Sequence, residues 1–292
     1  MTTTHRLLGL TLILVLVGVA PASAVELVYK PKVGETVQHK VMLAGRLSVT
    51  ASDSELAAFL AQRGEMTVTI RYAAAPASQS DDATVVAIRM LNGQAVVKTE
   101  SGTETFDLGT LTAKLTVDRR LETGAAEFDN EEDITEVSDE AYSVLDGFPV
   151  LGGNWWELVD VLYLPAGDVS AGAEWQYEDT EDLPSESSPP LVVRYKLLDL
   201  TTHAGRKCAK IRASWRYEFS DMKMDEEGEE SEATIGSGVY SGDYLLYYDY
   251  ENSVCAYSEG SVGLETSVMM PSPSGEGTAS MKALVNVKTA LE

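Results

Sequence analysis

Apolar and polar side chains alternate along most of this chain. Val37, His39, Val41 and Leu43 fall on one side, with His39 the single polar member. Leu111, Ala113, Leu115 and Val117 alternate with Thr112, Lys114 and Thr116, and Met281, Ala283, Val285 and Val287 alternate with Lys282, Asn286 and Lys288. A period of two marks a strand with one buried face, and short polar turns between such runs favour antiparallel neighbours. The expected fold is therefore mainly β: an antiparallel curved sheet or half-barrel with a few short helices.

Helical spacing is confined to three places. In Ser54 to Gln62, Leu56, Phe59 and Leu60 share a face and Gly64 follows as a stop. Ser138 to Leu145 runs from a serine and acidic residues to Gly147. Asn154 to Leu162 carries Trp155, Trp156, Leu158 and Val159, which suit a short helix or a cover over a sheet.

The two halves echo each other. Ile70-Arg71-Tyr72 recurs as Val193-Arg194-Tyr195, and Ile88-Arg89 recurs as Ile211-Arg212 at the same offset. Polar stretches, Ser78 to Asp82 and Thr201 to Arg206, separate the members of each set, so each set reads as a hairpin. Val33-Gly34-Glu35-Thr36-Val37 is answered by Ala171-Gly172-Ala173-Glu174-Trp175. The pattern predicts two related β units, residues 25–124 and 164–292, joined by an acidic and tryptophan-containing connection, 125–163. Two further segments read as loops: the acidic stretch Asp221 to Glu232 as a solvated hairpin tip or disordered loop, and Pro271 to Gly277 as a flexible one.

The N-terminus changes the picture of compartment. Arg6 precedes an apolar run from Leu7 to Ala20, in which Thr11 is the one polar side chain, and Ala22-Ser23-Ala24 supplies a small-x-small cleavage site. The run is short of the roughly 20 residues that span a bilayer. This reads as a signal peptide, residues 1–24, with cleavage between Ala24 and Val25 and an exported product, periplasmic or extracellular, without a transmembrane anchor. The whole chain has a formal charge of −24, and residues 1–24 contribute Arg6 and no acid, so removing them makes the charge one unit more negative. Such a charge repels phosphate backbones and anionic headgroups, which argues against a nucleic-acid partner.

Cys208 and Cys255 are the only cysteines. In an oxidising compartment they are a possible disulfide, worth roughly 4 kcal/mol in the chain-entropy model. The alternative is two buried thiols.

Leu164-Pro165, followed by Val169, Gly172 and Trp175, then Tyr195-Lys196-Leu197, Gly205 and Ala209-Lys210-Ile211, resembles the second half of an uncharacterised family of exported bacterial β proteins. More loosely, the order of long strands with few helices is similar to the half-barrels of bacterial lipoprotein carriers. That likeness implies a curved sheet holding a hydrophobic ligand, by analogy of architecture alone.

Catalytic signatures are sparse. Only His39 and His203 lie beyond the signal; the first reads as a core residue and the second as a turn residue at the surface. Gly238-Val239-Tyr240-Ser241-Gly242 places its serine one position late for a nucleophile elbow. Asp129, Glu131, Asp133 and Glu140 match the first, third, fifth and twelfth positions of a calcium loop, but Ile134 occupies the position that calls for glycine. No cofactor or metal is expected. Trp215, Tyr217 and Phe219 share one side of a strand, and Tyr244, Tyr248 and Tyr250 one side of another; cross-strand packing accounts for such rows, and a sugar face or lipid cavity is the other reading. Two functions stay open ahead of an enzyme of unknown class: a non-enzymatic binding or structural module of the cell envelope or extracellular space, and a carrier of a hydrophobic ligand in a curved sheet.

Overall fold

The computed structural model describes residues 24–52, 63–108, 112–128, 162–179, 189–226, 229–272 and 275–292. The first half supplies β1 (Val25–Glu26), β2 (Val37–Ala51), β3 (Arg63–Gln79), β4 (Ala83–Lys98), β5 (Thr103–Asp107), β6 (Thr112–Asp118) and β7 (Thr123–Phe128). The second supplies β8 (Asp168–Val169), β9 (Glu174–Asp179), β10 (Leu191–His203), β11 (Arg206–Glu226), β12 (Glu229–Asp249), β13 (Val254–Ser272) and β14 (Gly275–Leu291). The described residues contain no helix, so the fold is all-β and antiparallel. The three segments with helical spacing lie outside the described residues, apart from Leu162, which is irregular.

Twelve strands form one sheet in the order β7-β6-β4-β3-β2-β14-β13-β12-β11-β10-β9, with β5 pairing β4 beyond the end of β6. Two meanders run in the same sense and meet where β14 pairs β2, from Leu291 opposite His39 to Ala279 opposite Ala51. Among the described residues β7 and β9 end this order and do not pair with each other, so the sheet is not closed into a barrel. β1 and β8 form a separate pair, Val25 opposite Val169.

The alternation decides which face is buried. Val41, Leu43 and Leu47 of β2, Val285 and Val287 of β14, and Ile211 and Ala213 of β11 are buried, while Lys40, Met42, Lys288 and Arg212 between them are not. One contiguous core cluster draws on both meanders, from Met66, Val68 and Ile70 of β3 to Tyr195 and Leu197 of β10. The two expected units therefore share the twelve-stranded sheet and its main core cluster.

The echoed hairpins share a register from Tyr72 and Tyr195 to their turns, apart from bulges at different positions, and diverge before them, where the shift between Arg71 and Tyr72 has no counterpart. Tyr72 lies opposite Met90 and Ala74 opposite Ile88; Tyr195 lies opposite Ala213 and Leu197 opposite Ile211. Their turns differ. The β3–β4 turn is closed by bonds between Ser80 and Ala83, whereas the β10–β11 turn consists of Ala204 (φ 49°) and Gly205 (φ 79°), both left-handed as a type I′ hairpin requires. Gly34 and Gly172, also left-handed, occupy the turns before β2 and β9. Glu35 N–H donates to Lys32 O in the first turn, and Ala173 N–H to Ser170 O in the second.

One loop expectation is corrected. The stretch Pro271 to Gly277 belongs to the β13–β14 hairpin, with Met270 opposite Gly277 and Ser272 opposite Gly275, because the ladder continues through residues whose composition favours a loop. The acidic stretch takes the first of its two expected forms, a hairpin, with Glu226 opposite Glu229.

Candidate ligand-binding cavity

At one end of the sheet the β12–β13 turn is built around Asp249. Its Oδ1 accepts the backbone N–H groups of Glu251 and Asn252 (both 3.1 Å), and its Oδ2 accepts Arg206 Nη1 and Asn252 Nδ2 (both 2.8 Å). Burial works to raise the pKa of this carboxyl, but the bonds from Asn252, Arg206 and the backbone outweigh it and hold the group below the ordinary carboxylate range. The turn ends on Ser253, whose φ of 54° is unusual for a residue with a side chain. Ser253 Oγ accepts Lys30 N–H (2.9 Å), and Tyr248 donates its hydroxyl to Val28 O (2.9 Å). The segment between β1 and β2 is thus fastened across the end of the sheet.

A second set of bonds fastens the segment before β8. Leu164 N–H donates to Arg120 O (2.7 Å), Arg120 Nε donates back to Leu164 O (3.0 Å), and the guanidinium lies 4.2 Å from the centre of the Tyr163 ring. Trp175 Nε1 donates to Tyr163 O (2.7 Å).

These segments and the sheet enclose a cavity of about 420 Å³, within the range of roughly 300–1,000 Å³ common for small-molecule sites. One wall is apolar, formed by Ala74, Val86, Ile88, Leu115 and Val117 of β3, β4 and β6. Tyr248, Val254 and Cys255 contribute from the far side, and Lys32, Glu35 and Asn252, all exposed, border the mouth. His39 and Thr289 also line it; both are buried, and neither His39 Nδ1 nor Thr289 Oγ1 has a hydrogen-bond partner among the described residues. His39 stacks on Tyr72 with ring centres 5.0 Å apart, and burial pushes its pKa down to about 4, so the imidazole is neutral at neutral pH.

The sequence placed His39 in the core, where it lies, but gave no sign that it borders a cavity. His203 ends β10 half-buried against Tyr247 (4.2 Å) and Tyr257 (5.3 Å), and the turn follows it. Val25 opens β1, with Ala24 exposed before it. Of the two readings of the cysteines, the disulfide is not formed. Both cysteines are free, because Cys208 pairs with Asp249 of β12 while Cys255 pairs with Tyr248 on the other side of that strand. Two strand spacings, roughly 9–10 Å, exceed the Cα reach of about 7 Å that a bridge allows. Burial, assisted by the Asp249 carboxylate, pushes the Cys208 thiol up, away from a reactive thiolate. The calcium-like run from Asp129 to Glu140 lies outside the described residues, and among those described no three His, Cys, Asp or Glu side chains gather as metal ligands would.

The aromatic rows pack across strands. Trp215 stacks on Tyr244 (5.8 Å), and Tyr250 leaves its row to enter the turn. Phe219, Trp215 and Tyr244 lie opposite Gly238, Gly242 and Gly260, and at each glycine a Cβ would overlap the ring.

Comparison with protein-family models and with curated proteins gave no match for this chain.

Proposed function

We propose that the protein is an exported, non-enzymatic binding protein that carries an apolar small molecule in the cavity at the end of its curved sheet. The observation that carries this reading is the cavity's construction: an apolar wall from β3, β4 and β6, closed by segments fastened with specific hydrogen bonds. A purely structural module has no need of such a space, since interiors otherwise pack with few voids. Export rests on the signal-like residues 1–24, and cleavage after Ala24 leaves Val25 to begin β1. The partly matching hairpin registers and the paired left-handed glycine turns support reading the two meanders as copies of one ancestral unit.

The test is native mass spectrometry of protein recovered from its export compartment, with organic extraction of what it holds. A stoichiometric apolar adduct is expected, reduced at least tenfold in Ala74→Phe, which places a ring in the cavity. Bare protein, together with no saturable uptake of the neutral dye N-phenyl-1-naphthylamine, would overturn the proposal.

A further inference from the structure

The exposed face of the sheet carries a second concave region, independent of the cavity. We infer that it is a docking site for a linear anionic polysaccharide, a chain of 1,4-linked uronates lying across the strands. In the whole chain acidic residues outnumber basic ones by 46 to 22. In this trough of about 790 Å³ the balance is reversed, with Arg46, Arg63, Lys98, Arg216 and Lys282 against three carboxylates. At physiological ionic strength charges beyond about 8 Å are largely screened, so an approaching polymer meets these bases rather than the net charge.

The register sets the spacing of the bases. Lys98, Glu65, Arg46 and Leu284 stand opposite one another in one cross-strand row, and Arg63, Ser48 and Lys282 in the next, two residues along each strand. The successive strands β4, β3, β2 and β14 therefore each offer one base, alternately from one row and the other, at a repeat of roughly 4.8 Å. A 1,4-linked uronate chain in its two-fold form advances by about one strand spacing per sugar and turns successive carboxylates to opposite sides, so it matches the repeat and the alternation. Headgroups of a bilayer follow no such line. Beyond Arg46 the first row continues with Leu284, 47% exposed, and Gly263, which present an uncharged surface to a sugar ring. Donors remain for a ligand. Arg46 and Lys98 share the one carboxylate of Glu65 at 3.5 and 3.7 Å, longer than a good hydrogen bond, and Arg63 has no ion pair among the described residues. Lys282 is 3.2 Å from Glu265, which takes one of its three donors, while Arg216 is bonded to Glu218 and closes the far end.

Calorimetric titration of the purified protein with hexagalacturonate at low salt is the test. One-to-one binding is expected, and the fully methyl-esterified hexamer, which has no charge, should not bind. Arg46→Glu and Arg63→Glu should each weaken binding by at least about tenfold, the worth of one charge-assisted hydrogen bond. Lys207→Glu, the same change of charge in the strand after the β10–β11 turn, should alter it by less than about twofold. All three side chains are exposed, so their replacement spares the core. No binding of hexagalacturonate, equal binding of its methyl ester, or equal weakening by Lys207→Glu overturns the inference. Binding to vesicles containing phosphatidylglycerol but not to the hexamer also overturns it and assigns the face to a lipid surface.

Discussion

A buried imidazole whose Nδ1 has no hydrogen-bond partner among the described residues ties stability to pH through a single residue. His39 has a pKa lowered by burial from 6.5 to about 4, so between these values the unfolded chain takes up a proton that the folded chain refuses. The stability that the neutral imidazole retains above pH 6.5 is lost as pH falls toward 4, by about 3 kcal/mol in all. Phenylalanine in its place keeps a ring against Tyr72 and removes the titration. Urea midpoints at pH 7.5 and pH 4.5 should therefore fall further apart in the unmodified protein than in His39→Phe. Equal separations would show that His39 does not titrate differently in the two states. Asp249 is the opposite case, a buried carboxylate with every oxygen engaged, and its charge is retained because the β12–β13 turn supplies the donors.

Between neighbouring strands the aromatic–glycine pairs fix how closely side chains lie on the sheet. Trp215 lies flat over Gly242, and a methyl group there must move the ring or the strand. Overpacking of this kind costs about 2 kcal/mol, so Gly242→Ala should lower the urea midpoint and shift tryptophan emission to the red. An unchanged midpoint and spectrum would show that the ring is not held by this pair. At this scale much of the fold was legible in the sequence. The alternation in Val37 to Leu43 and Met281 to Val287 identified both the strands and their buried sides, and the echoed dipeptides located two hairpins. The β13–β14 tip was not legible, since proline, serine and glycine favour a loop and only pairing with a neighbour extends the ladder through them. The separation of the cysteines follows from the meander: alternate strands stand two spacings apart, so residues at like ends of β11 and β13 cannot touch. The cavity left no trace in local patterning, because its walls come from positions far apart in the chain. Asp249 with Asn252 offered the one local clue, as a turn closed by a side chain.

Over the whole molecule, the middle of the sheet and its edges differ in how they are held. β14 and β2 pair along most of their lengths between long neighbours, whereas β9 and β7 are short and have one neighbour each. β9 carries Glu174, Glu178 and Asp179, charges of the kind that discourage pairing with another chain. Hydrogen exchange should show the slowest amides in the β2–β14 pair and the fastest sheet amides in β9 and β7. Equal protection of β9 would mean that its edge is covered.

The meeting of β14 with β2 also sets an order in time. Thr289 stands opposite Val41, and Arg71 of β3 donates through Nε to Glu292 (3.0 Å), so strands from the start of the sheet wait for residues much later in the chain. Until β14 has emerged, β2 lacks a neighbour on one side and the cavity lacks Thr289. Such distant pairing is slow to form. Under the export proposed above, a sheet that needs β14 to join its two meanders would hold back closure while the chain threads a channel.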